Sequence, residues 1–172
     1  MHRPLIAAAL ALCLAPSVLA APSSESDPTL SPRTPFAQPR QGVGFAVGST
    51  SGVGFAWRQI FANGWGYQVA GAGGYLSVNP VNGPSWSLGL QATKDLSVCD
   101  WGRFYAVGGV QDLQIAAPSL LNVGAGVGVE MGGTPGVTVS FELPLVFGYR
   151  FGDNAGPAHL LPIPNLLLIF NY

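Results

Sequence analysis

Charge is scarce in this 172-residue chain: Asp, Glu, Lys and Arg together make up 9% of it, where roughly a quarter is usual for a soluble domain. A water-facing exterior is hard to build from so few ions. Lys94 is the only lysine and the formal net charge is −1, so the basic patch that a nucleic-acid partner requires is missing. Cysteine is limited to Cys13 and Cys99, and histidine to His2 and His159. No second histidine or cysteine stands at metal-ligand spacing, which excludes the usual zinc-type centre. Long apolar runs are also lacking after the start, whereas a membrane-spanning helix needs roughly 18 such residues in a row. What is plentiful is apolar residues, at 48%, together with 24 glycines and 15 prolines. Glycine and proline at that level disfavour long helices.

The first twenty residues have the layout of an export leader. Met1, His2 and Arg3 give a positive start, Leu5 to Leu14 an apolar stretch, Pro16 a break, and Val18-Leu19-Ala20 a small-residue cleavage site. Lipid attachment at Cys13 is the weaker reading, because Leu12 precedes it where a small residue is expected. Once the leader is removed Cys99 has no intramolecular partner, and it reads as a half-buried small hydrophobe at a strand end. Residues 21–41 contain Pro22, Pro28, Pro32, Pro35 and Pro39 among serines and threonines. Such a segment has too little apolar content to fold and is expected to be a periplasmic tether.

From Gly42 onward the chain alternates. Between Gly136 and Tyr149, Val137, Val139, Phe141, Leu143, Leu145, Phe147 and Tyr149 fall on one parity, against Thr138, Ser140, Glu142, Pro144, Val146 and Gly148 on the other. A strand greasy on one face and small or polar on the other is the wall of a transmembrane β-barrel. The same parity predicts strands over Gly42–Gly48, Val53–Phe61, Trp65–Tyr75, around Trp86–Gln91, over Arg103–Leu113 and Val123–Met131, and at the end of the chain. The Arg103–Leu113 segment is ambiguous in register, because both parities hold aromatics and glycine. Asn63-Gly64 is the strongest hairpin signal, since both residues accept the positive φ of a tight primed turn. Loops are expected at 79–84 and 151–164, and Pro144 is expected to cause a bulge or break.

Spanning strands of roughly 9 to 11 residues fit eight times into the domain 42–172. The fold class is therefore all-β, an antiparallel transmembrane β-barrel of eight strands. With both termini at one end, Trp57, Phe61, Trp65, Tyr67, Trp101, Phe104, Phe170 and Tyr172 gather at that end. Tyr75, Trp86, Phe147, Tyr149 and Phe151 gather at the other. Two aromatic rings suit the two interfaces of a bilayer.

An eight-stranded barrel has no open pore, and its interior is filled by side chains. The inward parity carries Arg58, Gln68, Gln91, Glu130 and Glu142, a lumen polar network in which Arg58 is expected to pair with Glu142 or Glu130. An unpaired ion there would be costly, so pairing is the plainer reading and a proton or ion path the sharper one.

Residues 42–172, with the leader and the terminal stretch Leu166, Leu168, Phe170, Tyr172, resemble the small eight-stranded outer-membrane β-barrel proteins of Gram-negative bacteria. The resemblance implies export through the Sec pathway, outer-membrane lipids as surroundings, a porin-like architecture, and use of the last strand as the signal for the barrel assembly machinery. It differs in its first outer link, about four residues long, where relatives often carry longer surface loops. Enzymatic members of similar barrel families, the lipid A deacylases, use a His and Ser pair on adjacent lipid-facing positions, and the sequence shows none. His159 reads as an ordinary loop histidine. The expected function is a non-enzymatic cell-envelope barrel with a structural or surface-interaction role and no cofactor. A lipid-modifying barrel enzyme and a secreted soluble barrel binding an apolar ligand are the alternatives.

Overall fold

Alternating small and large residues let consecutive side chains fall on opposite faces of an extended chain, and the β-branched residues among them favour that conformation. The computed structural model describes residues 35–172 apart from 79, 117, 118, 134, 153 and 154, so the leader and most of the tether lie outside the described residues. A short 3-10 turn, Pro35–Ala37, leads into nine strand segments. These are β1 Arg40–Gly48, β2 Gly52–Ile60, β3 Trp65–Val78, β4 Val81–Cys99, β5 Gly102–Ile115, β6 Ser119–Gly132, β7 Gly136–Arg150, β8 Gly156–Pro162 and β9 Asn165–Asn171. β1 to β7 pair in chain order, every pairing is antiparallel, and β9 joins β7 to β1. The sheet therefore closes on itself. We call the end where β1 begins and β9 finishes the near end, and the opposite one the far end.

The nine segments make an eight-stranded wall, because β8 and β9 share one edge of β7. β8 pairs with Leu145–Arg150 and β9 with Gly136–Glu142. The segment 151–164 is thus not the long loop expected: 156–162 is strand. The break between the two halves falls at Ile163 and Pro164, opposite Pro144, while β7 itself pairs with β6 without a register shift. The geometry of a strand explains this. A residue's N–H and C=O point to the same side, and the Pro144 carbonyl accepts from the Ile163 amide at 3.1 Å. The donor that Pro144 lacks therefore falls on the side where the ladder is already interrupted.

Other boundaries also differ. β1 starts at Arg40, inside the stretch read as tether, because the Arg40 side chain is buried against Glu130 and the Phe36 carbonyl. The loop expected at 79–84 is largely taken up by the arms of a hairpin, with Ser77 opposite Asn82 and Tyr75 opposite Pro84. At Asn63-Gly64 only Gly64 has a positive φ, at 76°. The Gly64 amide donates to the Phe61 carbonyl at 3.0 Å, and Asn63 Oδ1 accepts from the Trp65 amide at 3.1 Å. The asparagine serves through its side chain rather than through its backbone, and the loop is one residue longer than a primed turn.

The link Ser49–Ser51 departs most from expectation. Instead of standing above the wall, the β1–β2 tip folds into the lumen, with Thr50 and Ser51 fully buried. The Val53 amide donates to Ser87 Oγ on β4 at 2.8 Å, and the Ser49 amide to Asn165 Oδ1 on β9 at 2.8 Å. The tip lies against inward glycines of three strands: Gly89 meets the backbone of Ser51 and Gly52, Gly109 faces the Thr50 carbonyl, and Gly124 faces Thr50 Cγ2. Strand glycine commonly marks close approach of another backbone, and here it makes room for the tip. Gly89→Ala should therefore lower the unfolding free energy in detergent by about 1–3 kcal/mol through overpacking. Gly74→Ala, with open space at its Cβ, should leave the urea midpoint unchanged.

Candidate functional site

Parity and register place polar side chains of β1 to β7 and of β9 in one layer of the lumen. On β2, Arg58 sits opposite Gln68 of β3, which sits opposite Gln91 of β4. Arg58 Nε donates to Gln68 Oε1 at 2.9 Å, and Gln68 Nε2 to Gln91 Oε1 at 3.1 Å. Across the lumen Arg58 Nη1 donates to Glu130 Oε2 at 2.7 Å and to Ser140 Oγ at 3.0 Å, while Nη2 reaches Glu142 Oε1 at 3.4 Å. Arg58 pairs with both glutamates, not with one of them. The five residues expected in the lumen are thus directly linked.

Each carboxylate is shared among strands. Glu130, on β6, accepts from Arg103 Nη2 of β5 at 2.8 Å and Nε at 3.0 Å, and from Arg40 Nη2 of β1 at 3.2 Å, in addition to Arg58. Glu142, on β7, accepts from Tyr105 Oη of β5 at 2.8 Å, from Gln91 Nε2 at 2.8 Å and from Asn165 Nδ2 of β9 at 2.9 Å. Arg103 Nη1 continues the chain to Asp95 Oδ1 of β4 at 2.6 Å. Tyr105 lies between the guanidinium groups, with the Arg103 carbon 4.3 Å and the Arg58 carbon 6.0 Å from its ring centre. Gly128 leaves room for the Tyr105 ring, since a Cβ there would lie 2.6 Å from Tyr105 Cζ.

Three arginines and three acids therefore face one another with their side chains at most 12% exposed. Charge-assisted bonds of this kind are the strong class, and multiple donors per oxygen are what make burial of a carboxylate tolerable. The layer is closed at both ends. Thr50 Oγ1, on the inserted tip, accepts from Gln91 and from Asn165 at 3.2 and 2.8 Å on the far side. On the near side Arg40 Nη1 donates to the Phe36 carbonyl at 2.7 Å, and the buried Phe36 ring stacks 4.8 Å from the Arg40 carbon. Chemically this is a cross-link of the wall, with both oxygens of Glu130 and of Glu142 already engaged by donors.

Arg40, Arg103, Tyr105 and Asn165 belong to the layer and were missed from the sequence. Arg40 was hidden by the proline-rich stretch before it. Arg103 and Tyr105 were hidden by the ambiguous register of their strand, although Arg103 and Gln111 share a parity, and that shared parity was the available signal. Leu166, Leu168, Phe170 and Tyr172 point outward, opposite to the buried Asn165, Leu167, Ile169 and Asn171. The Cys99 thiol, half-buried at the end of β4, lies 3.3 Å from the Gly102 carbonyl. His159 is not in a loop: it lies on β8 opposite Gly148. The chain matches no protein-family model, no curated protein and no solved structure.

Removing the central guanidinium leaves two buried carboxylates short of donors. Arg58→Ala should lower the unfolding free energy by about 3–5 kcal/mol, measured by urea titration of the detergent-folded protein. Unfolding at the parental midpoint would show that Glu130 and Glu142 are satisfied without it.

Proposed function

We propose that the mature chain is an integral outer-membrane β-barrel of a Gram-negative envelope, non-enzymatic, with a filled lumen and a structural or surface-interaction role. The observation that carries this reading is the inversion of the wall. Ions and amides are buried inside, while Val137, Val139, Phe141, Leu143, Leu145 and Phe147 of β7 are between 42% and 53% exposed on the outside. Val43, Phe45 and Val47 of β1, Phe55 of β2 and Leu166, Leu168 and Phe170 of β9 carry the same belt across the neighbouring strands. Soluble monomers rarely expose apolar patches beyond a few hundred Å², which counts against a secreted soluble barrel.

The aromatic side chains support the reading. Trp57 and Phe61 pack against Tyr67 at ring separations of 5.3 and 5.7 Å toward the near end, and Tyr149 packs against Phe151 at 5.0 Å toward the far end. Such amphipathic rings suit two interfaces. On this reading the outward residues of the last strand, ending at Tyr172, are what the barrel assembly machinery recognises. The strand they sit on also joins β7 to β1, so damage there leaves backbone that lipid cannot satisfy.

Membrane fractions should retain the protein through carbonate washing, and unboiled samples should migrate apart from boiled ones. Release into the soluble fraction would end the proposal. Deleting Phe170–Tyr172 should sharply reduce the membrane-inserted fraction, and assembly at parental levels would remove the signal from this strand. Planar bilayers with the folded protein should show no steady current, because the polar layer is closed at both ends; a stable conductance would contradict a filled lumen.

A further inference from the structure

β1 and β2 stop at Gly48 and Gly52, where their tip turns inward, but the flanking strands continue. The β2–β3 ladder ends at Phe55 opposite Gly71, and the β1–β9 ladder at Val47 opposite Leu166. Beyond those points Ala72–Val78 pairs with β4 alone, and β8 with β7 alone. The far half of the wall therefore has a notch where two strands are missing, about 14 Å between the flanking backbones at ordinary strand spacing. Its lower lip lies inside the apolar belt, since Leu161 is opposite Val146, between the lipid-facing Leu145 and Phe147.

Behind the notch is a cup whose floor is the inserted tip. Inward side chains there remain open to the outside: Leu76 is 41%, Ile115 49% and Leu161 54% exposed. Polar groups form a directed chain at the base, with Asn122 Nδ2 donating to Gln111 Oε1 at 3.0 Å and Gln111 Nε2 to Ser87 Oγ at 2.9 Å. That chain leaves Asn122 Oδ1, on a side chain only 3% exposed, without a partner. His159 Nε2, also buried, has none either. The two belong to neighbouring positions across the sheet, because Gly148 is opposite both Asn122 and His159, and the imidazole covers the space where Gly148 lacks a side chain. Leaving such atoms unmade costs about 1–3 kcal/mol each; both are closed to solvent in this structure, and a ligand's polar group offsets that cost by displacing what covers them.

Resting on the membrane reading above, we propose that this cup binds one single-chain neutral amphiphile with a hydroxyl head, taken sideways from the surrounding lipid through the notch. Asn122 Oδ1 requires a donor. His159 Nε2 accepts or donates according to its tautomer, and a hydroxyl does both. Between Thr50 and Arg150 at the rim, the described inward side chains include no Asp, Glu, Lys or Arg, so a neutral head fits better than a phosphate. The alkyl chain lies along Leu161 and passes out between the strand edges. A second copy adding a strand to the β8 edge is disfavoured, because Pro157 and Pro162 cannot donate to it.

The test is native mass spectrometry and titration of detergent-folded protein, checked for the heat-dependent mobility shift, with 1-monooleoylglycerol as probe. One bound molecule per barrel is expected. Affinity should fall about tenfold or more in Asn122→Leu, as loss of one hydrogen bond of roughly 1.4 kcal/mol implies. Leu161→Glu, a change at a half-exposed position, should weaken binding similarly and covers the case in which Asn122→Leu does not fold. Leu143→Ala, on the outer belt, should bind like the parent. Equal binding by all variants, meaning adsorption to the belt, would overturn the inference, as would no bound lipid or a dimer that closes the notch. If the shift is present and binding absent, the site alone is lost; if the chain never folds in detergent, the membrane reading falls and the site with it.

Discussion

Glu130 and Glu142 hold this molecule's wall together from the inside. Each carboxylate collects donors from strands far apart in sequence: Arg40, Arg58 and Arg103 meet at Glu130, and Arg58, Tyr105, Gln91 and Asn165 at Glu142. On the proposed membrane reading the exterior contributes little net cohesion, because alkyl chains on both sides of a lipid boundary are alike. The shape of the cross-section must then be specified by directional bonds in the lumen. Multivalent carboxylates are suited to that task, since every lost donor leaves a charge partly unpaired.

The inserted hairpin tip is the second half of the same solution. A lumen lined by glycine and alanine would be hollow if only the polar layer filled it. The tip supplies Thr50, whose hydroxyl meets Gln91 and Asn165, and its backbone occupies the space beside Gly89. Side-chain bulk removed from the wall is thus replaced by main chain from another strand, which brings its own hydrogen-bonding groups into the buried lumen. A small apolar cluster of Ala46, Ala56, Ala70, Leu167 and Ile169 fills what remains between β1, β2, β3 and β9.

Much of the wall was legible because a two-residue period is imposed by each strand separately, and β7 and β9 display it without interruption. Lumen residues on strands with a clear period, such as Arg58 and Glu142, could be placed by parity alone. Arg103 and Tyr105 were harder to place, because Phe104 and Tyr105 are both aromatic and only the parity that Arg103 shares with Gln111 marks the inward face. Their inward placement depends on Glu130 and Glu142, which are partners only in three dimensions. The inward fold of Ser49–Ser51 was illegible for a related reason: three small polar residues read as a turn wherever they lie, and only the glycines on three distant strands show that a turn has been received. Pro144 illustrates the converse, since the sequence marks a missing donor without telling which neighbouring strand is interrupted.

The length of one connection also sets what kind of object this barrel can become. Because the Ser49–Ser51 link is just long enough to reach the inner wall and stay there, three residues fill the far side of the lumen above the polar layer. A few inserted residues would let the same segment stand clear of the mouth, and the glycines that now accommodate it would line an empty recess above the polar layer. Within such an architecture the depth of the far-end recess is set by a handful of codons in a single turn, while the polar layer beneath it still closes the lumen.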